Sequence, residues 1–270
     1  SAYIREFLES LAEKPETAIH SFMILRHSKV IAEGSFAPYK TNIWHVSNSL
    51  CKSIVALAVG IAVGENRFSI EDTVVEILKD KSLPISAMLK RNIKVKHLLT
   101  MTSGLSGNEV IAATENDWTK CIIDSNQLFS PGSRFNYNSM NTYLLSVILN
   151  ETTGQSLMDY LKPRLFGPMG IDNIAWGKSP EGIEKGGWGM FITIEDMAKL
   201  GQLCLNLGRW NGRQLVPEDW IKEMTKCRID SKDGNGMYGY GYQVWMGKRP
   251  GSFLFNGMFG QIVYVIPDLD

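Results

Sequence analysis

Ser49 and Lys52 are separated only by Leu50 and Cys51, at the head of a long apolar stretch. Residues three apart on a helix lie on one face, one turn above each other, so this spacing lets a hydroxyl meet an amine without help from the rest of the fold. A serine is a weak nucleophile at neutral pH until a base takes its proton, and a lysine serves as that base if burial and its neighbours hold it neutral. The amides and macrodipole of a helix start favour negative charge near Ser49 and disfavour a protonated Lys52. The bland alternative is a capping serine with a solvated lysine. A polar Lys52 just ahead of the apolar and glycine run Ile54 to Val63 fits that poorly. Ser-x-x-Lys by itself is expected about once by chance in a chain of this size, so its context carries the weight.

Two further segments have side chains or amides suited to the same chemistry. Tyr137, in Phe135-Asn136-Tyr137-Asn138-Ser139, follows the loop signal Pro131-Gly132. A tyrosine beside a lysine can act as a phenolate or relay a proton to a leaving group. As an isolated residue it is equally read as a packing aromatic. Phe255-Asn256-Gly257-Met258-Phe259-Gly260-Gln261 precedes the strand pattern Ile262 to Ile266. Acyl transfer needs two amide donors on the tetrahedral oxyanion. Ser49 at a helix start supplies one, and a glycine-lined edge strand can supply the other. A plain hairpin turn is the competing reading.

The frame that must hold these groups is ordinary in composition. The chain has 270 residues, 44% hydrophobic and 21% charged, with 28 basic and 28 acidic residues and no formal net charge. No large field is available to steer nucleic acid or an anionic membrane surface, so neither is expected as a partner. The run Ile54 to Val63 is too short to span a bilayer and reads as a buried core helix. The four cysteines contain no Cys-x-x-Cys pair and the four histidines show no ligand spacing, so no metal and no cofactor are expected. Cys51 reads as a small packing residue. Ser1-Ala2-Tyr3-Ile4-Arg5-Glu6 has no signal-peptide pattern, and free thiols fit a reducing compartment, which gives a cytoplasmic expectation; an exported protein with its signal removed would read the same.

Periodicity predicts an amphipathic helix from Tyr3 to Glu13, then strands Phe22 to Leu25 and Lys29 to Glu33 joined at His27-Ser28. Trp44-His45-Val46 leads into the Ser49 helix, which Gly64 is expected to end. A turn and a short helix follow over Glu65 to Leu78. A helix from Ser139 or Met140 to Thr153 ends at Gly154, and an amphipathic helix runs from Thr193 to Leu207 with Glu195-Asp196 in its first turn. Tyr240 to Trp245 and Gln261 to Ile266 are rich in strand formers. Strands near both ends with helices between predict an α+β layout. One antiparallel sheet is assembled from regions 1–72 and 185–270, flanked by helices, and 73–184 forms a mostly helical insertion within a single domain.

Together these residues resemble the serine β-lactamase and penicillin-binding protein superfamily, in particular its class C β-lactamase-like branch. Its pattern is Ser-x-x-Lys, then Tyr-x-Asn, then Lys-Thr-Gly or a substitute on the edge strand. The resemblance spans almost the whole chain. It includes Leu98-Leu99-Thr100-Met101-Thr102-Ser103-Gly104-Leu105, Pro131-Gly132, Gly186-Gly187-Trp188, Trp210-Asn211-Gly212 and Pro267-Asp268-Leu269-Asp270. It implies the β-lactamase/transpeptidase-like fold, with Ser49 as acylated nucleophile, Lys52 as its base and Tyr137 as the acid/base for the leaving group. Ser139 stands where the pattern has Asn, with a shorter reach to Lys52 or substrate. The oxyanion amide falls to Met258, beside Gly257.

The third motif departs most. Phe255-Asn256-Gly257 occupies its position and no lysine precedes Gly257. The missing cation is one that helps β-lactamases and D,D-peptidases hold a substrate carboxylate. A charged recognition contact contributes roughly 1.5–3 kcal/mol, so its loss costs about one to two decades of specificity. Branch members without that lysine resemble esterases and 6-aminohexanoate-dimer hydrolases. Trp188, Phe191, Phe255 and Phe259 are candidates to line an apolar acyl pocket, or else belong to the core. The family also continues past Asp270 with a further strand and a C-terminal helix, which the chain as given does not reach. The expectation is a serine hydrolase with a small ester, amide or β-lactam substrate, of undetermined oligomeric state. The alternative is a non-catalytic sensor that keeps a penicillin-binding fold.

Overall fold

The structure is a computed structural model that describes residues 2–14, 18–79, 81, 90, 92–231 and 239–270. Helix α1 (Ala2–Ala12) leads to a hairpin of β1 (Ser21–Arg26) and β2 (Lys29–Ser35). Its two-residue turn is His27-Ser28, both left-handed, with φ of 52° and 57°. That is the turn hand that matches the twist of paired strands. Strand β3 (His45–Val46) then feeds a 3₁₀ turn at Asn48–Leu50 and helix α2 (Cys51–Gly64).

Helix α2 is apolar on every side, and a helix of that kind must be covered on every side. Each residue from Cys51 to Ala62 is buried. Helix α3 (Val95–Leu99) and helix α4 (Ser139–Thr153) follow in chain order, and α4 packs along both α2 and α3. Asn138 caps α4 by accepting from the Met140 amide at 2.9 Å, and Gly154 closes it in the left-handed region at φ 68°. Strands β4 (Ala175–Trp176) and β5 (Met190–Ile192) join β3 in the order β3-β5-β4. Helix α5 (Ile194–Leu205) is capped by the Thr193 hydroxyl, which accepts from the Asp196 amide at 3.2 Å. Helix α6 (Glu218–Met224) sets Trp220 on α2, where its indole donates to the Ala56 carbonyl at 3.0 Å. A β-carbon at Gly60 would come within 2.2 Å of that ring, so the crossing requires glycine.

The chain closes with β6 (Trp245–Met246), β7 (Phe253–Gly257) and β8 (Gln261–Val265), paired antiparallel in the order β8-β7-β6. The class is α+β, as the sequence predicts. Strand β3 of region 1–72 does pair with β5 of region 185–270, but the hairpin β1-β2 and the ladder β8-β7-β6 form separate sheets with no pairing between them among the described residues. Both β1 and β8 rest on α5, which is what associates them.

Helix α2 ends at Gly64 as expected, but for a different reason: the residue is not left-handed, and a β-carbon there would meet Pro217 Cγ at 2.7 Å. One local expectation changes. The predicted strand Tyr240 to Trp245 is reduced to its last residue. Gln243 is left-handed at φ 59°, and its buried side chain turns inward. Its amide nitrogen donates to the carbonyls of Leu98 (2.9 Å) and Leu99 (3.0 Å), and its oxygen accepts from Thr142 Oγ1 (2.6 Å). Ser53 Oγ donates to the Gln243 carbonyl at 2.6 Å. Satisfying these buried groups of α2, α3 and α4 outweighs continuing the ladder.

Candidate active site

Ser49 sits in the 3₁₀ turn, two residues before α2 begins. The tighter turn eclipses residues three apart. Lys52 Nζ is 2.7 Å from Ser49 Oγ and donates to the Gly187 carbonyl at 2.6 Å. Lys52 is only 1% exposed, although it is among the longest side chains in the molecule. Its surroundings therefore replace water with one carbonyl, one hydroxyl and an aromatic face. That face is Tyr137, whose ring centroid lies 5.0 Å from Lys52 Nζ.

Tyr137 is 37% exposed and is held by its other face and edges. It stacks on Trp245 at 5.4 Å and meets Tyr240 edge-on at 6.2 Å, with Phe135 completing the cluster. Aromatic contacts at these separations each contribute about 0.5–1.5 kcal/mol beyond burial. Burial pushes the Tyr240 phenol well up, with Tyr137 adding to the effect, so Tyr240 stays a neutral hydroxyl beside it.

The carbonyl that receives Lys52 is fixed by glycine. At Gly187 a β-carbon would lie 2.8 Å from the Ser139 carbonyl oxygen and 2.9 Å from Ser139 Cβ. At Gly186, with φ +65°, it would lie 2.3 Å from Ser146 Oγ. This loop therefore lies flat on the first turns of α4. Cys51 seals the other side, its thiol 3.0 Å from both the Asn48 and Gly186 carbonyls. Burial pushes that thiol up to about 12, so it is no competing nucleophile, as the sequence suggests.

The strand side is built differently. Gly257 ends β7 with a β-carbon position 2.4 Å from the Ser47 carbonyl oxygen. Asn48, left-handed at φ 43°, donates its amide to the Met258 carbonyl (2.8 Å) and to Gln261 Oε1 (2.9 Å). These contacts tether the β7–β8 turn to the residue before Ser49. Met258 is 66% and Phe259 88% exposed at its tip. Asn256 is half-buried on β7, and Phe255 is fully buried in the core.

The structure thus gathers Ser49, Lys52 and Tyr137, sets Ser139 against the Gly187 carbonyl clamp, and brings the Gly257-Met258 turn to the Ser49 turn. Sequence reasoning missed Asn48, Gln243 and the carbonyl role of Gly187. It also missed Glu109, whose Oε1 accepts from the Ser139 amide at 3.3 Å. The paired glycines before Trp188 were the available signal for the clamp. Nothing in the local sequence around Glu109 marks it. Among the described residues no group of three or more His, Cys, Asp or Glu side chains is placed to hold a metal ion, and no helix is long and apolar enough to cross a membrane.

Comparison with known proteins bears on the family and the fold. The chain is 26% identical to an uncharacterised protein of Alkalihalophilus pseudofirmus, across 75% of this chain and 60% of that one. It is 24% identical to the 6-aminohexanoate-dimer hydrolase of Paenarthrobacter ureafaciens, across 94% of this chain and 71% of that enzyme. A solved structure of a putative 6-aminohexanoate-dimer hydrolase from Bacillus anthracis superposes with a TM-score of 0.83 at 22% identity, over 96% of this chain and 73% of that one. The Beta-lactamase family profile matches residues 4–270, and the chain belongs to that family.

Proposed function

We propose that this protein is a serine hydrolase that works through an acyl-enzyme on Ser49. The observation that carries the reading is the 2.7 Å contact between Ser49 Oγ and a fully buried Lys52 Nζ. As Oγ attacks a carbonyl carbon, its proton passes along that contact to Lys52, and a tetrahedral oxyanion forms. The amides of Ser49 and Met258 are the assigned oxyanion donors. Tyr137, resting on Lys52, gives its phenolic proton to the departing alcohol or amine and takes back the proton that Lys52 received from Ser49, so both return to their starting states. Water then cleaves the acyl-enzyme by the reverse sequence. Ser139, Asn256 and Gly257 bound the substrate side. Oxyanion donors and a positioned acid/base together supply about 10⁴-fold or more.

The substrate class favoured is an ester or a short linear amide over a carboxylate-bearing β-lactam, because no lysine precedes Gly257. The relationship to a 6-aminohexanoate-dimer hydrolase supports the same choice. Mass spectrometry after incubation with a fluorophosphonate should show one adduct on Ser49. Rates on a short-chain nitrophenyl ester should exceed those on a chromogenic cephalosporin. Ligand binding that survives Ser49→Ala, with no turnover across an ester and amide panel, would instead identify a non-catalytic binder.

A further inference from the structure

Glu109 is exposed, bonds the Ser139 amide two residues from Tyr137, and is unused by the chemistry above. It is solvent-accessible, on the loop that follows Leu105 to Gly107. Asn138 holds that loop, donating its side-chain amide to the carbonyls of Leu105 (3.2 Å) and Gly107 (2.6 Å). The Glu109 carboxylate reaches the Ser139 amide, the first residue of α4. Through Ser139 it is one contact from the Gly187 clamp and two residues from Tyr137.

The helix does not require this carboxylate as its cap, because Asn138 already serves the Met140 amide. The helix start does stabilise a negative charge there. Desolvation raises the pKa of the Glu109 carboxyl. Hydrogen bonds from Ser139 and the backbone, with the Lys52 charge, outweigh it and hold the group below its usual value. The start of α4 therefore carries an anion bonded to Ser139, while the strand side, Phe255-Asn256-Gly257, carries no cation.

We infer that Glu109 is a specificity-determining residue that selects substrates bearing an ammonium group near the scissile bond over those bearing a carboxylate. This rests on the hydrolase reading and adds a charge class to it. A single partly exposed charge contact corresponds to a preference of about fivefold in each direction. The contribution decays with salt because Glu109 is exposed.

The test is a matched series of 4-nitrophenyl esters whose acyl chain ends in trimethylammonium, tert-butyl or carboxylate. A second series carries the same groups on the alcohol part. In the native protein kcat/KM should fall from cation to neutral to anion in at least one series, and the spread should shrink between about 20 mM and 500 mM salt. Glu109→Gln should lower the cation-to-anion ratio about twentyfold at low salt, and Glu109→Asp should restore part of it. A role confined to supporting α4 would change all three esters by the same factor, leave the ratio intact, and overturn the inference while the hydrolase reading stands. A ratio near one in both series of the native protein overturns it as well. Failure of every ester to acylate Ser49 overturns the hydrolase reading and this inference with it.

Discussion

The two walls of the site are made by different means. On the helical wall, Lys52 is buried, its amine is held between a hydroxyl and a carbonyl, and that carbonyl is pinned by two glycines against α4. Gln243 and Ser53 tie α2 to α3 and α4 behind it. On the strand wall the β7–β8 turn is fixed at its base by Gly257 and Asn48, and its tip, Met258 and Phe259, stands in solvent. A low-mobility, desolvated wall suits groups whose chemistry depends on ångström placement. An exposed turn suits recognition, where a residue can change without disturbing the frame. The family pattern is kept at Ser49, Lys52 and Tyr137 on the first wall, apart from Ser139 in place of Asn, and altered more on the second. The proposed reaction type rests on the first, and the proposed substrate choice on the second together with Glu109.

This contrast gives a ranked set of expectations. Ser49→Ala and Lys52→Met should each reduce ester turnover by about 10³-fold or more with the fold intact by circular dichroism. Near-native turnover in Lys52→Met would remove the helical wall from the chemistry. Tyr137→Phe should lower kcat about 10²-fold, the lower range for a positioned proton donor, and affect poor leaving groups more than nitrophenolate. Gly186→Ala should destabilise by about 2–4 kcal/mol in urea unfolding, because a β-carbon meets Ser146 Oγ at 2.3 Å in a left-handed backbone. Gln243→Ala should cost about 1–3 kcal/mol, since it removes the buried amide that joins Leu98, Leu99 and the Thr142 hydroxyl.

On the strand wall, Asn256→Lys should leave unfolding within about 1 kcal/mol of the parent and raise relative kcat/KM for carboxylate-bearing substrates about tenfold. A loss of stability as large as that of Gly186→Ala would mean that the two walls do not differ as described. The smallest signal is a negative one. With its thiol pushed up to about 12 by burial, Cys51 carries almost no thiolate at pH 8. Iodoacetamide should therefore modify exposed Cys227 and spare Cys51, as read by peptide mass spectrometry. Equal labelling would show that the helical wall is open to solvent.

Much of this was legible in the chain itself. The all-apolar face of α2, the caps Thr193 and Gly154 and the His27-Ser28 turn are local signals, because helix and hairpin formation depend on neighbours within a few residues. Ser49 and Lys52 were also local, since three-residue spacing alone sets their meeting. The absent lysine before Gly257 needed only a reading of the motif. Tertiary structure decided the rest. Gly187 receives Lys52 across 135 residues, and Gln243 spans 190 residues to Ser53, so neither role has a spacing that a linear pattern could reveal. The strand expected over Tyr240 to Trp245 failed because the buried polar groups of Gln243 outweighed the strand preference of its neighbours. Gly64 likewise owes its identity to Pro217, a contact 153 residues away, and not to the helix it ends. The chain by itself determined that Ser49 and Lys52 can meet. Only packing decided which backbone groups hold them and which carboxylate reaches Ser139, because burial and long-range hydrogen bonds are set by the whole fold.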